Sequence, residues 1–271
     1  MNIHVNEYVG YHCFVGLLLR MPIEFKVSSE SVQGLRSNNE DAIKCINSDG
    51  LFLALVADGM GGHASGEVAS VESMKSIEEE IFAQGPFLDG SEGGDTALIQ
   101  QGYISANESL LSLSRSNPKF SNMGTTMVGL FYRENSANVL ISNLGDSRCY
   151  VLEDQKLSLI TADHSFAHAL YIAGSITLAQ VATHPFRNRI YKYLGSKDLT
   201  GGPDVFIHHL KPGQRYLICS DGLSGSISSA DLQNYLATEP LEGLAPKLCQ
   251  IALKNGSTDN TSAIIVEVVE A

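Results

Sequence analysis

Seven consecutive apolar residues, 51–57, run straight into Asp58, and glycines follow at 59, 61 and 62. The run reads as a buried strand, and the rest of the chain has to be arranged around it. The glycines let the backbone turn sharply and let another group approach closely. A carboxylate is thus held at the end of a rigid strand, beside the bare carbonyl of Gly59. Oxygen donors of this kind suit a hard cation such as Mg²⁺ or Mn²⁺. The plainer alternative is a simple turn, the usual fate of a strand that ends in Asp-Gly.

The chain has 271 residues, enough for one large domain or two small ones with an ample core. With 44% hydrophobic and 18% charged residues it is globular rather than disordered. A net charge of −12 argues against nucleic acid and against a basic membrane-facing surface. No apolar run approaches the roughly 18 residues of a membrane span. Cysteines at 13, 45, 149, 219 and 249 are odd in number and form no CxxC pair, so they read as buried small hydrophobes in a reducing, cytoplasmic setting. Residues 1–23 form an N-terminal extension, expected to be loosely attached. Its apolar stretch, 14–19, lacks the preceding positive charge of a signal peptide.

Taken in order, a first strand is expected near 24–28, then a polar loop, 34–41, with Arg36 and the adjacent acids Glu40 and Asp41. A short strand, 42–46, makes a hairpin with the central one, and Arg36, Asp41 and Asp58 lie at its open end. Val68, Val71, Met74, Ile77 and Ile81 recur at helical spacing, as do Ile99, Tyr103, Ala106, Leu110 and Leu113, and both stripes read as core packing. Residues 89–95 read as an acidic, glycine-rich loop between the two helices. Strands follow at 125–132 and 137–143, the second ending in Gly145-Asp146, and the chain continues as a strand at 149–152. Residues 163–200 are rich in His, Ser, Arg and Gly with weak periodicity, which suggests a lobe flanking a site. A further strand, 215–220, ends in Asp221-Gly222. Helices are expected at 230–237 and 244–254, and Asp259 introduces a last strand, 262–269.

Asp41, Asp58, Asp146, Asp221 and Asp259 therefore each abut a predicted strand. In a two-sheet sandwich, strand ends gather on common edges. Such acids would repel one another unless divalent cations lay between them. Two ions a few Å apart can activate a water for hydrolysis, and phosphate esters are the usual targets. An arginine there, with Arg36 well placed, would grip phosphate oxygens. A surface salt bridge is its commoner fate.

The stretches GLRSNNED (34–41), VADGMGGH (56–63), GTT (124–126), GDSR (145–148), DHS (163–165), HPFRN (184–188) with LG (194–195), SDGL (220–223) and DNTS (259–262) stand in an order that resembles the type 2C metal-dependent serine/threonine protein phosphatases, the PPM family, in its bacterial form. The resemblance covers about 25–269. It implies an α+β fold, a four-layer α-β-β-α sandwich with two central antiparallel sheets, occupying 24–271 with a flap at about 163–200. It implies two Mn²⁺ or Mg²⁺ ions. Asp58 would bridge them, the Gly59 carbonyl would bind the first, Asp221 and Asp259 the second, and Asp41 would act through bound water. Arg36 would hold the substrate phosphate, and the hydroxide bridging the ions would attack phosphorus in line. Asp146 would belong to a third metal site.

Three departures accompany the resemblance. Where the family carries an acid four residues after the aspartate of SDG, this chain has Gly225, which removes a partner of Asp146 at the third site. Where eukaryotic members have a histidine after the DG, it has Met60, and His63 becomes the candidate for the leaving-group acid. The N-terminal extension has no counterpart. The resulting expectation is a cytoplasmic, free-standing, monomeric phosphatase of phosphoserine and phosphothreonine proteins, opposing a kinase. The alternatives are a pseudophosphatase that binds phosphoproteins without turnover and a two-metal phosphodiesterase of nucleic acid. The acidic balance speaks against the latter.

Overall fold

The computed structural model describes residues 23–61, 64–199 and 201–271. The N-terminal extension lies outside the described residues except for Ile23, which already pairs with Glu270. His63 also lies outside them.

Two antiparallel sheets stack face to face. One has the strand order β1 (Ile23–Val32), β11 (Thr261–Glu270), β10 (Arg215–Cys219), β7 (Arg148–Glu153), β8 (Lys156–Leu159). The other runs β2 (Asp41–Ser48), β3 (Leu51–Met60), β5 (Met127–Arg133), β6 (Asn138–Leu144), β9 (Asp204–His209), with the short β4 (Gly124–Thr125) also paired to β3. Helices α1 (Ala64–Gln84) and α2 (Glu92–Ser116) cover the second sheet. The short α3 (Phe166–Ile172) and α4 (Leu178–Val181) lie in the 163–199 lobe, while α5 (Asp221–Ser224), α6 (Ser229–Thr238) and α7 (Leu244–Lys254) cover the first sheet. This is the expected four-layer α-β-β-α sandwich.

The central strand shows why its sequence is apolar throughout. Leu51, Leu53, Leu55 and Ala57 face α1 and α2, whereas Phe52, Ala54 and Val56 face the opposing sheet, against Tyr216, Ile218, Ile264 and Val266. Side chains alternate across a strand, so a strand with layers on both sides has no polar face. A third core joins Leu217, Cys219, Ala263 and Ile265 to α6 and α7.

Several boundaries differ from expectation for identifiable reasons. Val71 is half exposed, and the inner face of α1 is completed instead by the fully buried Ala69, Ser70 and Ser73. Small residues sit there because the helix presses on the loop below it, where Ser70 Oγ donates to the carbonyl of Glu40. The strand expected at 125–132 is broken at Thr126. Gly124 and Thr125 pair with Met60 and Gly59, whereas Met127–Arg133 belongs to the sheet proper. Cys149, Cys219 and Cys249 are buried as expected, but Cys45, on β2, is exposed, and Cys13 is outside the described residues.

The stretch read as a loop, 89–95, contains the first turn of α2. Ser91 caps it by accepting from Gly94 N, and the buried Asp95 receives Arg133 Nε at 3.0 Å on both carboxylate oxygens. Arg133 also donates to the carbonyl of Gly85. Local glycines disfavour a helix here, and a buried ion pair from another layer overrides them. D95A strands the guanidinium and is expected to lower stability by about 3 kcal/mol in urea unfolding.

Candidate active site

The end of β3 is fixed by its neighbours before any chemistry begins. Asp58 N donates to Thr126 Oγ1 at 3.0 Å, and the Asp58 carbonyl accepts from Thr126 N and Thr125 Oγ1, both at 2.9 Å. Gly59 N donates to the Glu40 carbonyl. A Cβ on Gly59 would lie 2.1 Å from the Gly66 carbonyl oxygen at the start of α1, and one on Gly222 would lie 2.0 Å from that of Asn260. At both Asp-Gly pairs, glycine is required because another backbone passes at contact distance.

Asp41 stands directly opposite Asp58 in the β2–β3 ladder. Its Oδ2 accepts from Ser220 Oγ at 2.8 Å and Ser262 Oγ at 2.7 Å, both from the other sheet, while its buried Oδ1 has no partner among the described residues. Asp221 follows Ser220 at the end of β10, and Asp259 precedes β11. Asp58, Asp146, Asp221 and Asp259 line one cleft of about 390 Å³, with Arg36, Gly59, Met60 and, from the 163–199 lobe, Asn188 and Ile190. Arg36 donates to Asp259 Oδ2 at 2.6 Å. Its loop is held by Asn260, which accepts from Glu40 N and donates to the carbonyls of Gln33 and Asn38.

The acids strain against one another. Burial, then the charges of Asp41, Asp221, Asp146 and Asp259, pushes the Asp58 carboxyl well above its ordinary range. Burial raises Asp41 to about 7. The two serine hydroxyls oppose that rise, and Asp221 and Asp259 add to it. Asp146 also reaches about 7, from burial and then the charges of Asp221 and Asp163. Burial and the nearby Asp259 raise Asp221. Among the described residues, no three acidic, histidine or cysteine side chains already converge on one point as metal ligands. Asp259 is engaged by Arg36 and Asp41 by serines. The donor set still fits hard divalent cations. It is all oxygen, it repels itself, and it includes an unpartnered buried carboxylate oxygen.

The sequence singled out Asp41, Asp58, Gly59, Arg36, Asp146, Asp221 and Asp259, and the structure gathers all seven at or behind this cleft. His63 is not among the described residues. Gly225 closes α5, donating its N–H to the Asp221 carbonyl at 2.7 Å, and lines a hollow shared with Asp146. Sequence reasoning assigned no role to Thr126, Ser220, Ser262, Asn260 or His164, although each falls within a quoted motif. Only the folded contacts reveal their work.

His164 is the junction between the lobe and the Asp146 turn. Gly145 N donates to its Nδ1 at 3.0 Å, so the ring proton sits on Nε2, which donates to Asp204 Oδ2 at 3.2 Å. Lys192 of the lobe pairs with the other Asp204 oxygen at 2.7 Å. The His164 carbonyl accepts from Tyr191 N, and its N–H donates to the Gly145 carbonyl. Burial holds the imidazole below its ordinary range even though the Asp204 hydrogen bond works the other way, and the ring is neutral.

Two outcomes are expected. With cations removed by chelator, Asp41 and Asp146 keep their protons in the fold up to about pH 7, whereas the unfolded chain releases them near 3.8. The folded state binds more protons across that window, so stability falls as pH rises from about 4 to about 7. Mn²⁺ should therefore raise the Tm more at about pH 8 than at about pH 5 in thermal scans. At position 164, H164N keeps an acceptor for the buried Gly145 N–H and should cost less stability than H164A, which strands that donor and is expected to lose about 1–3 kcal/mol in urea unfolding.

Comparison with known proteins agrees with this geometry. The family model described as protein phosphatase 2C matches residues 31–263. The chain is 32% identical over 256 residues to the serine/threonine protein phosphatase PstP of Mycobacterium tuberculosis. That match covers 93% of this chain but only 47% of the relative, so the chain spans about half the length of that protein. The structure of the S. agalactiae serine/threonine phosphatase superposes with a TM-score of 0.83 at 29% identity, covering 91% of this chain and 100% of that one. The PstP catalytic domain, solved in complex with two manganese ions, superposes with a TM-score of 0.78 at 28% identity over 91% of this chain and 99% of that one. With a family model matched over most of its length and a two-sheet sandwich common to these structures, this chain belongs to the protein phosphatase 2C family.

Proposed function

We propose that the chain is a metal-dependent phosphatase that hydrolyses phosphoserine and phosphothreonine in proteins. The observation that carries this reading is the convergence of acids from four separate strand ends, with Arg36, on a single cleft. Two Mn²⁺ or Mg²⁺ ions held there would supply a water ionised near neutral pH and a Lewis-acid clamp on the phosphoryl oxygens. Asp58, central in the electrostatic cluster, is the residue suited to be shared between them, with the Gly59 carbonyl, Asp221 and Asp259 completing the set. Asp41 sits behind Asp58, tied to both sheets by its serine partners, and is suited to act through water. Arg36 is half exposed at the cleft, and its guanidinium has the planar fork that matches phosphate. His63 remains our candidate for protonating the leaving hydroxyl.

A third ion is not part of the proposal. Asp146 faces Arg148 and Asp163, and Gly225 brings no carboxylate to meet it. Gly225 is also the one feature that favours a phosphoprotein-binding module without turnover. The free buried thiols and the charge of −12 support a cytoplasmic enzyme with phosphoproteins, rather than nucleic acid, as partners. No described helix is long and apolar enough to cross a membrane.

The test is hydrolysis of a phosphothreonine peptide by the purified chain with Mn²⁺, with Mg²⁺ and with chelator, beside D58N. Turnover that needs metal and falls at least about a hundredfold in D58N is expected. A folded protein that binds Mn²⁺ yet turns over nothing would favour the binding module. Turnover indifferent to chelator and to D58N would refute the mechanism.

A further inference from the structure

The cleft does not end at the carboxylates. Asp146, Asn188, Asp221 and Asp259 are shared with a second hollow of about 400 Å³, which runs between the 163–199 lobe and the turn at 256–258. That hollow shares Arg148, Asp163 and Val181 with a third, of about 260 Å³. The chemistry changes along this trough. The cleft is acidic. The saddle to the third hollow is an ion pair with its charge cancelled, Arg148 donating to Asp163 at 2.9 and 2.7 Å. Beyond that pair the third hollow is lined mainly by Tyr150, Leu157, Leu159, Leu178 and Val181, with His168 and Ser229 beside them.

Leu159, on β8, and Leu178, on α4, are 46% and 62% exposed and both line this groove. Apolar side chains left open in a groove that runs on from a reaction centre mark a place where another apolar group is received. β8, which carries Leu157 and Leu159, is an edge strand. Its Leu157 N–H already donates to the Gln233 side chain, so the groove offers side-chain contacts rather than a free ladder for strand addition.

We propose that this groove is a specificity subsite that takes an apolar side chain of the phosphorylated protein, several residues to one side of the phosphoresidue. The intervening chain crosses the Arg148–Asp163 saddle, where it meets no net charge. The occupant is the substrate itself because the groove is continuous with the cleft that holds the phosphate. The inference rests on the reading of that cleft as a phosphatase site.

The test uses phosphothreonine peptides in an alanine background, with one leucine moved through about six positions on each side of the phosphoresidue, the reach of an extended chain at ~3.3 Å per residue. The Mn²⁺-loaded wild type is compared with L159S/L178S, and p-nitrophenyl phosphate serves as a substrate too small to reach the groove. Both leucines are partly exposed, so the variant should fold, and its thermal unfolding is checked. One leucine position, or two adjacent ones, should raise kcat/KM about tenfold, mainly through KM. That preference should vanish in L159S/L178S while p-nitrophenyl phosphate turnover is unchanged. A flat profile, or a preference that survives in the variant, would overturn the subsite and leave the phosphatase reading standing. If the wild type hydrolyses neither the peptides nor the small ester, the phosphatase reading fails and the subsite with it.

Discussion

Five carboxylates held close together in a poorly solvated cleft are the constraint around which the rest of this molecule is arranged. Burial and neighbouring charges push Asp41, Asp58, Asp146 and Asp221 toward their protonated forms, and Arg36 engages Asp259 directly. Such a cluster can persist only if the surrounding framework is rigid enough to prevent the acids from moving apart. Two sheets with three cores provide that framework, and the acids sit at the strand ends, where the backbone is fixed by its ladder but the side chains are free to face a common space.

The framework reaches the acids through hydroxyls and amides. Ser220 and Ser262 bring the first sheet to Asp41 of the second, so one carboxylate oxygen fastens the two sheets together at the site. Thr125 and Thr126 hold the peptide of Asp58, and Asn260 holds the loop that carries Arg36. These contacts use neutral groups. Each satisfies a buried acceptor or donor without adding charge to a site that already has too much of one sign.

The 163–199 lobe is tied to the same construction. An isolated bridge joins Thr125 to Leu194 of the lobe, a second, between Ser165 and Ile190, closes the lobe on itself, and His164 links the lobe to the Asp146 turn through a ring whose two nitrogens have fixed, opposite roles. The lobe supplies a wall of the cleft through Asn188 and Ile190 and a wall of the neighbouring groove through Leu178 and Val181. It is therefore placed to shape what lies next to a substrate's phosphate as well as the phosphate's own surroundings.

Sequence alone determined the elements whose pattern is local and strong. The buried central strand, α7, the acid–glycine strand ends and the order of motifs all follow from periodicity and composition, because each is a property of consecutive residues. Tertiary structure alone decided what depends on distant partners. It placed a helix turn at 92–95 where the glycines suggested a loop, because Arg133 meets Asp95 across layers. It broke a strand at Thr126 so that a hydroxyl could receive Asp58 N–H. It set Ser70 rather than Val71 on the inner face of α1, where the buried hydroxyl donates to the Glu40 carbonyl. Sequence could also propose that five aspartates meet, since strand ends share an edge. Which hydroxyls, amides and imidazole hold them in place depended on contacts between residues as much as 227 positions apart, such as Asn260 and Gln33, and no local pattern encodes these.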